Sequence, residues 1–114
     1  MRWVLHAKIH KATVTEANLD YVGSITIDEA LLDKTGLWPG EKVQVGDNTN
    51  GARLETYIIK GERDSGIICM NGAAAHLIHA GDEIIIMGYA LSDQPIANPK
   101  MILVDKENKF VRYL

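Results

Sequence analysis

The chain has 114 residues, 46% of them hydrophobic, enough for one compact core and too few for two ordinary domains. Its formal charge of −3 and pI near 5.7 give no basic field for nucleic acid or anionic lipid, and no run of about 18 apolar residues marks a membrane span. Cys69, the one cysteine, lies in the apolar stretch GIICM, which excludes a disulfide or thiolate metal cage within one chain and reads as a small buried hydrophobe. The amino-terminal MRWVLHAKIHKATV has no apolar signal region, so a cytoplasmic location is expected.

In chain order, residues 3–15 are rich in β-branched and aromatic types, with Leu5, Ala7 and Ile9 on one face and His6, Lys8 and His10 on the other. This predicts a half-buried strand with a cationic face. YVGSITID is a short β-like segment broken by a Gly-Ser pair. Asp28 can cap a helix over EALLDKT whose Leu31 and Leu32 face inward and whose end is marked by Gly36. LWPGE is a turn. EKVQV and ARLETYIIK form a strand pair joined by NTNG, with Asn50-Gly51 supplying positive φ. GERDSG turns into the strand IICM, NGAAAHLIHAGD is a small-residue loop opening a helical turn, and EIIIMGYAL is a buried strand. After the polar DQPIANPK, MILVD and FVRYL form a hairpin through KENK. About seven short strands with one or two brief helices make a mainly β domain, a small barrel or sandwich.

The Gly23-Ser24 bond carries a chemical possibility. A glycine before a serine removes the Cβ that would hinder the hydroxyl from attacking the preceding carbonyl. Taken alone, the pair is an ordinary turn dipeptide. Arg53 and Tyr57 share parity in RLETY and point to one face, whereas Thr56 falls on the other and needs a twist, a bulge or an adjoining edge to join them. The NGAAA run lets a ligand approach the backbone. His6, His10, His76 and His79 lack an accompanying carboxylate cluster and do not read as a metal site.

KIHKATVTEANLDYVGSITID, NGARLETYII and ICMNGAAA, in this order and at these spacings, resemble the aspartate 1-decarboxylase family over residues 1–90. The resemblance implies a six-stranded double-psi β-barrel, a single domain over 1–114 that cuts itself between Gly23 and Ser24 into a β chain of residues 1–23 and an α chain of residues 24–114. It implies a covalent pyruvoyl cofactor made from Ser24, which binds the substrate amine as a Schiff base, and no metal. The implied reaction converts L-aspartate to β-alanine and carbon dioxide, feeding pantothenate and coenzyme A synthesis. The implied assembly is a homotetramer with active sites between subunits, with room for a maturation factor. Among the residues, the resemblance makes Tyr57 the proton donor, places Thr56 with Gly23 and Ser24 in processing, and assigns substrate binding to Lys8, Arg53, Thr56, Asn71, Gly72, Ala73 and Ala74. His10 and Tyr21 are auxiliary. Trp3, Lys11 and the turn VGDNTNG depart from the family pattern without removing a residue the chemistry requires. Rival readings are a non-enzymatic β-barrel that binds a partner, a pyruvoyl enzyme for another amino acid, and a nucleic-acid-binding barrel. The acidic balance and seven aromatic residues argue against the last.

Overall fold

In the computed structural model, which describes residues 1–114, the chain is mainly β. Its strands are β1 (Arg2–Thr13), β2 (Glu16–Asn18), β3 (Ser24–Asp28), β4 (Lys42–Asp47), β5 (Arg53–Gly61), β6 (Ile68–Asn71), β7 (Glu83–Ser92), β8 (Lys100–Val104) and β9 (Phe110–Tyr113). One helix, α1 (Glu29–Thr35), and a 3-10 helix (Gly72–His76) complete it.

The predicted helix has the predicted ends. Asp28 Oδ1 accepts from Ala30 N at 2.9 Å, and Gly36 at φ 75° donates its N–H to Leu32 O at 2.8 Å. Asp28 does more than cap, because its carboxylate also accepts from Asp64 N at 2.9 Å and Gly66 N at 2.8 Å, tying α1 to the β5–β6 turn. Within β1 the register against β7 shifts twice, between Leu5 and Ala7 and between Ile9 and Ala12, and the second shift breaks the alternation. Lys11 takes φ 63° and bulges out, so Ala12 follows Ile9 into the core. In the β4–β5 turn only Gly51 has positive φ, at 80°, not Asn50. Asp47 organises that turn with its side chain, accepting from Thr49 N at 2.7 Å and Asn50 N at 3.2 Å.

The strands pair in the order β2-β6-β3-β5-β4-β7-β1-β8-β9. β2 was not legible in the polar EANLD and exists through parallel pairing with β6, Ala17 opposite Met70. Only Val14 and Thr15 separate β1 from β2. Val14 N donates to Asp82 O at 2.9 Å and Thr15 N to Ile68 O at 2.8 Å, so one continuous stretch of chain borders β7 at its start and β6 at its end. The core enclosed by these strands is apolar and branched, with Ile9, Ile25, Ile27, Ile58, Ile84 and Ile86 fully buried. Each such side chain stabilises the fold by roughly 1.5–3 kcal/mol relative to exposure.

Candidate active site

Ser24 opens β3 and is completely buried, directly opposite Asn71 at the end of β6 in the antiparallel β3–β6 ladder. The next same-face pair is Thr26 opposite Cys69. Period-two alternation therefore puts four polar side chains on one patch. Asn71 Nδ2 donates to Ser24 Oγ at 2.9 Å and to Thr26 Oγ1 at 3.0 Å, while the Cys69 thiol donates to Asn71 Oδ1 at 3.1 Å. Ser24 Oγ in turn donates to Val22 O at 3.3 Å. Burial, assisted by Glu16, raises the Cys69 thiol above its ordinary range and keeps it a protonated donor.

The preceding peptide lies against a glycine shelf. Gly72 has φ 64°, and a Cβ placed there would come within 2.7 Å of Gly23 Cα and 2.9 Å of Tyr21 O. Gly72 is thus fixed by close backbone approach as well as by conformation. Gly23 differs: a Cβ there would meet only Asn71 O, at 3.8 Å. Packing does not demand that glycine, and the residue itself is exposed.

A groove of about 370 Å³ opens beside Ser24, walled by Leu54, Glu55, Thr56 and Tyr57 on one side and by Asn71, Ala73, Ala74 and Leu77 on the other. Register explains how four consecutive β5 residues reach it. β3 meets β5 only from Ile25 opposite Ile58, so residues 54–57 have β4 on one side and a free edge on the other. Thr56 is half-buried and Tyr57 is 41% exposed, as opposite parity requires, yet both border the same groove. The adjoining edge resolves the parity conflict. Leu54, Glu55 and Leu77 are wall residues that the sequence reading did not single out; Leu77 had a signal, since it directly follows the NGAAAH turn.

Lys8, Arg53, His10 and Tyr21 do not line this groove. Lys8 sits on β1 opposite Met87, and three strands separate β1 from β3 in the sheet order. Arg53 shares the exposed side with Tyr57, and its guanidinium donates to Gln44 Oε1 at 3.0 Å. His10 is held below its ordinary range by burial and then by Lys8 and Lys11, so its ring is neutral, and its buried Nδ1 has no partner within the chain. Tyr21 is exposed, and only its carbonyl contacts the Gly72 shelf. Of the other histidines, His6 contacts Glu41 at 2.6 Å and His79 lies 3.8 Å from Asp82. A larger hollow of about 540 Å³, lined by Trp3, Gln44 and Tyr89, lies apart from Ser24 and shares Glu55 with the groove.

A buried serine hydroxyl held by an amide, an exposed glycine before it and a tyrosine lining the same small groove form a constellation that can be compared with known proteins. Residues 1–111 match the family described as aspartate decarboxylase. The chain belongs to the aspartate decarboxylase family. It is 60% identical over 111 residues to the aspartate 1-decarboxylase of Acetivibrio thermocellus, covering 95% of this chain and 88% of that protein. The aspartate 1-decarboxylase of Exiguobacterium sibiricum is 59% identical, with 100% and 92% covered, and that of Bacillus subtilis 56% identical, with 99% and 91% covered. The family match spans both walls of the groove and the Gly23-Ser24 bond, so the segments that build the site all fall inside it. No helix is long and apolar enough to cross a membrane.

Proposed function

We propose that this chain is a proenzyme that cuts itself between Gly23 and Ser24, and that the matured enzyme decarboxylates L-aspartate to β-alanine and carbon dioxide for pantothenate and coenzyme A synthesis. One observation carries the reading: Ser24 lies buried at the edge of the groove with its hydroxyl held by Asn71, immediately after an exposed glycine that lines the same groove. In the cleavage, Ser24 Oγ bonds to the Gly23 carbonyl carbon as the Gly23–Ser24 C–N bond breaks and the nitrogen takes a proton. Loss of the Ser24 Cα proton and rupture of the Cβ–Oγ bond then leave Gly23 as a carboxylate and residue 24 as dehydroalanine. Hydrolysis of that group releases ammonia and leaves a pyruvoyl terminus. Thr56 lines the same groove as Gly23 and Ser24, and its hydroxyl is the donor to the oxyanion formed during attack.

The residues present fit a pyruvoyl group at position 24. The β3–β6 ladder keeps the new α-chain terminus in place once the chain is cut, the β chain of residues 1–23 staying bound through β1, and the groove lies beside it. The pyruvoyl group supplies an electrophilic carbonyl that bonds an amino-acid amine and accepts the electron pair left by the departing carboxylate. Tyr57, across the groove, delivers the proton to the α-carbon. Gly72, Ala73 and Ala74 allow close backbone approach, and Asn71 orients the reacting group. Lys8 and Arg53 supply cationic partners for the two substrate carboxylates, Arg53 in a bidentate geometry. Neutral His10 and Tyr21 assist, and no metal is used.

The proposed architecture is a single six-stranded double-psi β-barrel. Its support is the stretch of chain through Val14 and Thr15, which joins the two ends of the run β2-β6-β3-β5-β4-β7-β1. The proposed assembly is a cytoplasmic homotetramer, matured alone or with a helper protein. Its support is that neither Lys8 nor Arg53 reaches the groove of its own chain, while Trp3, Tyr21, Val22 and Leu77 leave apolar surface exposed. A neighbouring copy supplies the cations in this reading.

Intact-mass measurement of the purified protein tests the proposal: two fragments, residues 1–23 and a pyruvoyl-capped 24–114, are expected. Ser24→Ala is expected to stay full length and make no β-alanine. Production of β-alanine by that variant defeats the mechanism.

A further inference from the structure

Asn71 presents an amide with a donor end and an acceptor end, and which end faces Ser24 decides what Ser24 can do. Three side chains settle the orientation. Ser24 and Thr26 hydroxyl oxygens both accept from Nδ2, at 2.9 and 3.0 Å, and the Cys69 thiol donates to Oδ1 at 3.1 Å. Turned over, the amide would direct its N–H groups at sulfur, a weak acceptor, and its oxygen at both hydroxyls. It would then compete with Val22 O for the Ser24 proton. The four residues are locked to one another by register, since Ser24 faces Asn71 and Thr26 faces Cys69 across the same ladder.

The donor end matters at one step. When the Cβ–Oγ bond breaks, Oγ departs as part of the Gly23 carboxylate and gains negative charge, and an N–H already aimed at that oxygen stabilises the charge as it develops. An amide oxygen in the same place would repel it.

We propose that Thr26 and Cys69 are positioning residues for self-cleavage, locking the Asn71 amide with its donor end on Ser24 Oγ. This rests on the self-cleavage reading above and extends it to two residues that touch neither the groove nor the scissile carbonyl. Cys69 is thus a hydrogen-bond donor within the maturation machinery, although its burial makes it look like a packing residue.

The test follows freshly synthesised full-length chain by intact mass, with and without neutral hydroxylamine, which cuts an ester at Gly23 and releases a fragment that still begins with serine. Thr26→Val and Cys69→Ala are each expected to slow cleavage about tenfold, the effect of one lost hydrogen bond of ~1.4 kcal/mol. Both are expected to accumulate the hydroxylamine-sensitive ester. Cys69→Ser and Thr26→Ser, which keep the polar groups, are expected to cleave within about twofold of the parent, a rescue that a packing role would not produce. Parental rates in Thr26→Val and Cys69→Ala overturn the proposal, as does slowing in Cys69→Ser equal to that in Cys69→Ala. A parent chain that stays full length even after prolonged incubation with cell extract to supply any helper defeats the self-cleavage reading itself, whereas a parent that cleaves while its variants keep pace defeats only the clamp.

Discussion

Gly72 packs its backbone so closely on Gly23 that a Cβ at position 72 would stand 2.7 Å from Gly23 Cα and 2.8 Å from Gly23 N. The neighbour is backbone, which cannot swing aside as a flexible side chain could. Gly72→Ala must displace the segment before Ser24, and it also places an alanine at φ 64°, a conformation that costs about 1–2 kcal/mol for a residue with a Cβ. Loss of cleavage by intact mass, with a fall in melting temperature, is the expected outcome. Normal processing by Gly72→Ala would show that the scissile segment is not held by this contact.

Tyr57 borders the groove from the free edge of β5, apart from the Asn71 cluster that holds Ser24. Tyr57→Phe keeps the ring and removes only the proton to be delivered. The variant is expected to self-cleave normally and to lose decarboxylation by roughly 10²–10⁴-fold, the usual contribution of a general acid. Fragment masses together with a β-alanine assay separate the two steps, and undiminished turnover would reassign the proton donor.

Asp47 and Asp82 meet in the interior between the β4–β5 turn and the start of β7, and Asp47 Oδ2 finds no donor from the rest of the chain. Burial first, then the Asp82 carboxyl, holds Asp47 above its ordinary 3.8; the hydrogen bond from Asp47 is the main cause holding Asp82 below it. Both directions favour a proton on Asp47 over one on Asp82. Because the folded chain keeps that proton to higher pH than the unfolded chain, the Asp47 contribution is fully present below 3.8 and is lost as pH rises through its raised pKa. The Asp82 contribution has the opposite sense, being present above 3.8 and lost as pH falls through its lowered pKa. Asp47→Asn supplies a permanent donor to Asp82. Its melting temperature is expected to pull ahead of the parent as pH rises through the Asp47 titration; parallel curves would dissolve the pair.

Asn108 is fully buried at φ 59° and bridges three segments: Oδ1 accepts from Thr13 N at 2.8 Å, and Nδ2 donates to Thr13 O and Gly66 O, both at 2.8 Å. Asn108→Ala leaves those backbone groups without their partner, and each buried unsatisfied group costs about 1–3 kcal/mol. Chemical denaturation is expected to show a loss on the order of 2–4 kcal/mol. A change below about 0.5 kcal/mol would mean that water replaces the side chain.

Local patterns carried a large part of the fold. The helix at Glu29–Thr35 with its Asp28 and Gly36 caps, the β4–β5 and β8–β9 hairpins and the opposite parity of Thr56 and Tyr57 all follow from short-range backbone rules, and the structure has them. The bulge at Lys11 and the strand β2 were not legible. Both depend on partners distant in sequence, β7 for the first and β6 for the second.

The sequence by itself determined the family, and it offered the residues proposed to bear the chemistry, because glycine before serine, a phenol, paired cations and a small-residue turn have fixed chemical capacities wherever they are placed. The tertiary structure alone decided which of them meet. Asn71 reaches Ser24 across 47 residues only because β3 and β6 pair in one register, and a slip of one residue would turn the whole Ser24–Thr26–Cys69–Asn71 patch to the opposite face. Thr56 and Tyr57 share a groove only because β3 begins too late to cover the β5 edge beside them. Lys8 and Arg53, identified together as anchors, lie away from that groove because three strands separate β1 from β3 and the Arg53 guanidinium turns to Gln44 on β4. Strand order is set by burial of the isoleucine core, which no short window of sequence contains.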